Sequence, residues 1–121
     1  MTLQERVRAY FEAVNQERWD DVFAIFHDDA VLKVPAQPEK RGVAEIRRFY
    51  EAVPRIFPEH YDDPVLILAE GEAAMAAIHF TGMDPKGRPA DFWASDIFRF
   101  EAGRIREMRI IFDPSALRAP A

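Results

Sequence analysis

Residues 91–100, DFWASDIFRF, decide the fold. Phe92, Ala94, Phe98 and Phe100 fall on one side of this run, and Trp93, Ser95, Ile97 and Arg99 fall on the other. Such alternation is the period of a β-strand. In the middle of the phenylalanine side stands Asp96, a carboxyl where the pattern expects a hydrocarbon.

Outward from that strand, residues 64–70 (PVLILAE), 73–82 (AAMAAIHFTG) and 104–112 (RIREMRIIF) read as three more. Residues 83–89 (MDPKGRP) form a hairpin loop, and 101–103 (EAG) a tight turn with Gly103 at the positive-φ position. The N-terminal half has another period. TLQE at residues 2–5 is a capping box, and Leu3, Val7, Tyr10, Phe11 and Val14 predict a helix over 3–15. Trp19, Val22, Phe23 and Phe26 form the apolar stripe of a short second helix. AVLKVP, 30–35, is a brief strand stopped by Pro35, and 36–42 is a loop. Val43, Ile46, Phe49, Tyr50 and Val53 predict a third helix, which Pro54 ends or bends. Helices first and antiparallel strands after give an α+β fold, with three helices on one face of a curved, mainly antiparallel sheet. The expected organisation is one domain over residues 1–121. A sheet wrapped around its helices leaves a cone-shaped hollow, with the phenylalanine side of 91–100 as its natural lining.

Composition narrows the function. The chain is 49% hydrophobic and 12% aromatic, the balance of a globular protein. Ten phenylalanines suggest a core or cavity lined with rings. A net charge of −5 argues against nucleic acid, which needs a basic surface. Without cysteine there is no disulfide, thiolate nucleophile or zinc–thiolate site. MTLQERVRAYFEAV lacks the apolar core of a signal peptide, and no 18-residue apolar run occurs, so the expectation is a cytoplasmic protein without membrane contact. His27, His60 and His79 show no ligand spacing, so no metal is expected. Five scattered glycines form no phosphate loop, and the only serines, Ser95 and Ser115, sit in no nucleophile motif. No cofactor is expected either. The tail DPSALRAPA, 113–121, reads as a mobile end or a dimer contact.

Three side chains could do chemistry. Asp96, if it faces an apolar hollow, would become neutral and donate a hydrogen bond to an oxyanion. It could equally be a strand-end residue satisfied by a backbone N–H or by Arg109. Tyr10 lies on the apolar stripe of the first helix, where its hydroxyl needs a partner: Asp96, a carbonyl or a ligand. His79 alternates with Met75, Ala77 and Thr81 against Ala74, Ala76, Ile78 and Phe80, and neither face is plainly the inner one. Turned inward it is a candidate general base; turned outward it faces water or a second subunit.

Nearly the whole chain resembles a known family. Residues 8–35 (RAYFEAVNQERWDDVFAIFHDDAVLKVP), 41–53 (RGVAEIRRFYEAV) and 95–112 (SDIFRFEAGRIREMRIIF) look like the NTF2-like superfamily, in the branch of ketosteroid isomerases and SnoaL-like polyketide cyclases. The resemblance implies the cone-shaped fold and a homodimer through the open face of the sheet. Tyr10 matches the isomerase's oxyanion-hole tyrosine, and Asp96 its protonated aspartic acid. The isomerase's base falls at Val34, which carries no proton, so steroid Δ-isomerisation is in doubt. The cyclases instead pair an ionised aspartate with a histidine, here Asp96 with His79. Limonene-epoxide-hydrolase-like chemistry would need an Asp–Arg–Asp cluster, for which no inward arginine is evident.

The sequence thus carries two functional expectations. One is a cofactor-independent isomerase or cyclase of an apolar carbonyl compound, with Tyr10, Asp96 and His79 catalytic. Its pocket would be walled by Phe26, Val34, Phe92 and Ala94 and by Phe98, Met108, Ile110 and Phe112. The other is a non-catalytic module that binds an apolar ligand or dimerises.

Overall fold

The computed structural model describes residues 1–117. The elements run α1 (Leu3–Asn15), α2 (Trp19–Ala24), β1 (Phe26–Lys33), β2 (Lys40–Arg41) and α3 (Val43–Ile56). Then come β3 (Glu59–Glu70), β4 (Ala73–Met83), β5 (Pro89–Glu101), β6 (Arg104–Ile111) and a 3-10 turn over Pro114–Leu117. One six-stranded sheet has the order β2-β1-β6-β5-β4-β3. Every pairing is antiparallel except that of β1 with β6. The fold is α+β, three helices on a curled open sheet.

The capping box starts α1: the Thr2 hydroxyl accepts from the Glu5 N–H at 3.1 Å, and the Thr2 N–H donates to the Glu5 carboxylate at 3.2 Å. Its apolar stripe packs on β3 and β4, while α3 lies over β1 and β2 and α2 touches both helices. Phe11, Phe26, Phe98 and Met108 make the sealed centre between the layers.

Register shifts curl the sheet. They occur between Pro64 and Leu66 in β3, between Arg99 and Phe100 in β5, and between Phe26 and Val31 in β1. An extra residue on one strand bends it and tightens the local twist. The shift opposite Arg106 also lets Ile105 and Met108 both face the core despite their odd spacing. The turn after β5 is closed by the Glu101–Arg104 pair, with Ala102 at φ 52° and Gly103 at φ 79°. Two positive φ values in a two-residue loop match the twist of the flanking strands.

The structure differs from the sequence expectation in four places. Phe26 opens β1, paired with Ile105, rather than closing α2. Lys40 and Arg41, read as loop, form the short edge strand β2. β3 begins at Glu59, five residues before Pro64, because an edge strand tolerates a proline that lacks an N–H. The tail, read as a mobile end or a dimer contact, carries a 3-10 turn over Pro114–Leu117 that the sequence did not predict, and Leu117 reaches the cavity described below; residues 118–121 lie outside those described. Among the described residues no helix is long and apolar enough to cross a membrane.

Candidate functional site

A cavity of about 520 Å³ opens between the concave face of the sheet and the helices. The alternation of β5 carries directly into it: Phe92, Ala94 and Asp96 line it in succession, and the next inward residue, Phe98, passes beneath it into the core. β6 adds Ile110, with Phe112 just beyond its end, and β4 adds Ile78 and Phe80. Phe80, Phe92 and Phe112 stack in a row, with ring centroids 4.7 and 5.5 Å apart. The wall is therefore mostly hydrocarbon.

Asp96 sits in that wall between Ala76 and Ile110, its neighbours across the sheet, and is only 5% exposed. Its Oδ1 is sealed from solvent and has no hydrogen-bond partner among the described residues. Burial raises its pKa well above the usual carboxylate range, and the nearby Asp62 carboxyl raises it further. Arg109, once a candidate partner, is an exposed residue of β6.

Tyr10 does line the cavity, yet its hydroxyl bonds to Tyr50 rather than to Asp96. The Tyr50 hydroxyl in turn points at the Met108 sulfur, 3.5 Å away. Both phenols are buried, and burial pushes both pKa values up, so both stay protonated.

Strand β3 brings two residues that the sequence reading did not place at the site. His60 and Asp62, two apart on β3, both face the cavity. Burial pushes the Asp62 carboxyl up to about 6, with His60 pulling it the other way. The His60 side chain is only 4% exposed and lies 3.5 Å from the Glu17 carboxylate. Asn15, at the end of α1, clamps the backbone here: its side-chain NH₂ donates to the Asp62 carbonyl at 2.9 Å, and its oxygen accepts from the Asp62 N–H at 2.8 Å. That amide imitates a neighbouring strand on the free edge of β3 and holds Asp62 in place.

His79 lies on the other face of the sheet. Its Nε2 is 2.7 Å from the Asp91 carboxylate, and its ring stacks on Trp93 at 4.9 Å. It shares no space with Asp96, because successive residues of β4 point to opposite faces and the buried Ala76 and Ile78 take the inner one. Of the expected pocket residues, Val34, Phe92, Ala94, Ile110 and Phe112 line the cavity. Phe26, Phe98 and Met108 are buried in the core beside it and do not. Among the described residues no group of three or more histidines and carboxylates could hold a metal ion.

A family model described as a SnoaL-like domain matches residues 7–108. The chain belongs to that family. Three solved structures place the fold of this SnoaL-like domain in context. An NTF2-like protein of unknown function from Burkholderia pseudomallei K96243 superposes with a TM-score of 0.86 at 24% identity, covering 91% of this chain and 89% of that one. A candidate polyketide cyclase from Pseudomonas putida KT2440 gives 0.88 at 20% identity, covering 96% and 95%. TerC, co-crystallised with polyporic acid, gives 0.85 at 18% identity, covering 93% and 92%. At these identities the likeness carries the fold.

Proposed function

We propose that this SnoaL-like domain is a cofactor-independent acid–base enzyme that moves a proton at a carbon next to a carbonyl in an apolar, ring-sized molecule. The supporting observation is the pair of carboxyls in one apolar cavity, with burial raising Asp62 to about 6 and Asp96, one oxygen sealed and unpartnered, well above the usual carboxylate range. Two like groups whose surroundings drive their pKa values apart are suited to opposite roles. The Asp62 carboxylate takes the proton from carbon, and the electron pair moves onto the carbonyl oxygen as an enolate. Protonated Asp96 donates to that oxyanion, and Tyr10 adds a second donor once the Tyr50 hydroxyl turns from the Met108 sulfur to donate to Tyr10. Return of the proton from Asp62 to a different carbon isomerises the molecule. Attack of the enolate carbon on a second carbonyl of the same molecule closes a ring, and the carbonyl oxygen, now an alkoxide, takes the proton back from Asp62. The co-crystallisation of TerC, which shares this fold, with polyporic acid is in keeping with a ring-sized ligand.

The test is solvent deuterium exchange next to the carbonyl of 2-tetralone in D₂O near neutral pD. The protein accelerates exchange, and Asp62→Asn loses about 10²–10⁴-fold of that acceleration. Exchange unaffected by the protein, or undiminished in Asp62→Asn, overturns the reading. The binding-module alternative rests on Val34, which lines the cavity where the isomerases carry their base. It predicts ligand binding with no exchange at all.

The outer face of the sheet supports a homodimer. Trp93 is 60% and Leu68 52% exposed there, beside exposed Leu66, Met75 and Ile111. A contiguous apolar face of this kind is the mark of an association surface. A second copy of this chain is its proposed occupant.

A further inference from the structure

The charges around the cavity are not distributed at random. Its floor and inner wall carry Asp96 and Asp62, whereas its mouth carries Lys40 from β2 and Arg48 from α3. Arg48 is exposed, so the cavity opens to solvent beside it, and Lys40 is half-buried on the edge strand β2. Among the described residues neither cation makes an ion pair or a side-chain hydrogen bond. Arg47, the neighbour of Arg48, is by contrast held by Asp20 at 3.0 Å and by Glu51 at 3.9 Å. Arg41, the neighbour of Lys40, is held by Glu39 at 2.6 Å. The one acid at the mouth, Glu45, accepts from the Arg41 backbone N–H at 3.2 Å. In a chain of net charge −5, two uncommitted cations at the rim of an apolar cavity stand out.

We infer that the substrate of this site carries an anionic group, a carboxylate or an equally acidic enol, at the end remote from its reacting carbonyl. The inference rests on the acid–base reading of the same cavity and adds the substrate class and its orientation. An anion at the floor would meet the Asp62 carboxylate, which repels it. At the mouth it meets Lys40 and Arg48, whose attraction is strengthened by the low-dielectric wall behind them. The substrate therefore enters with its carbonyl foremost and its acid trailing. Lys40 and Arg48 determine specificity and take no part in the proton transfer.

The probes are 1-naphthaleneacetate and 1-naphthaleneacetamide, which share one apolar body and differ in charge. Their dissociation constants are measured by titration calorimetry at low and moderate salt, with wild type and with Lys40→Gln/Arg48→Gln. The wild type binds the acetate at least about tenfold more tightly than the amide, and salt erodes the preference. In the double variant the preference falls to about onefold while the affinity for the amide is unchanged. Equal binding of the two probes by wild type, or an equal loss of both in the variant, overturns the inference. Such a result alongside intact exchange at 2-tetralone leaves the acid–base reading standing and removes only this one. If neither probe binds and exchange is absent, both fall together.

Discussion

Replacing Asp96 with asparagine removes a proton that the fold has to keep. In the unfolded chain this carboxyl titrates near 3.8, and in the folded one burial and Asp62 hold it well above that. Above pH 3.8 the unfolded state releases the proton while the native state retains it. The native state then binds more protons, so stability falls as pH rises until the folded pKa is passed. Each pH unit in that window is worth roughly 1.4 kcal/mol. Wherever the pH lies below the folded pKa, Asp96 alone therefore costs the wild type stability as the pH rises. Asp62 has the same sign between 3.8 and about 6, but it does so in both proteins and cancels from the comparison. Asparagine does not titrate, and any loss from its imperfectly bonded amide is independent of pH. The assay is urea unfolding followed by tryptophan fluorescence at pH 5, 6 and 7, at one fixed protein concentration. The stability of Asp96→Asn relative to wild type rises with pH across that range, by roughly 1.4 kcal/mol per unit for as long as the folded carboxyl keeps its proton. Two parallel pH profiles would refute the reasoning, because they would mean that the buried carboxyl is ionised throughout.

If Asp62 is the base, exchange activity rises with pH through about 6 and levels off above it, since only the carboxylate can accept the proton. Asp62→Asn shows no such limb in its residual pH–rate profile. Gly103→Ala places a Cβ at φ 79° and 3.1 Å from the Arg6 guanidinium, and it lowers stability by about 1–2 kcal/mol in the same urea assay. Trp93→Asp on the outer face halves the mass found by light scattering and leaves the cavity's affinity for 1-naphthaleneacetamide unchanged.

The fold was legible because its inward strand faces are written in bulky side chains. Phe92, Ala94, Phe98 and Phe100 place β5, and the turn at Gly103 places β6 behind it. What the sequence hid follows from residues that satisfy two patterns at once. Phe26 continues the helical spacing of Trp19, Val22 and Phe23 and also faces the core as the first residue of β1. Pro64 imitates a strand start, and that concealed the upstream alternation of His60 and Asp62. These two line the cavity. Tyr50 read as one more apolar position on the stripe of α3, and only tertiary packing brings its hydroxyl to Tyr10. For His79 the alternation gives two faces without saying which one is covered. The small Ala74 and Ala76 turn out to be the buried side, under α1.

The account stands on two aspartates held in different ionisation states within one apolar cavity. Carboxyl-labelled aspartate NMR from pH 4 to pH 9, with Asp62→Asn and Asp96→Asn to assign the signals, tests this most directly. The predicted result is one carboxyl titrating near 6, lost in Asp62→Asn, and a second still protonated above pH 7, lost in Asp96→Asn. Two carboxyls both fully ionised by pH 5 would contradict it.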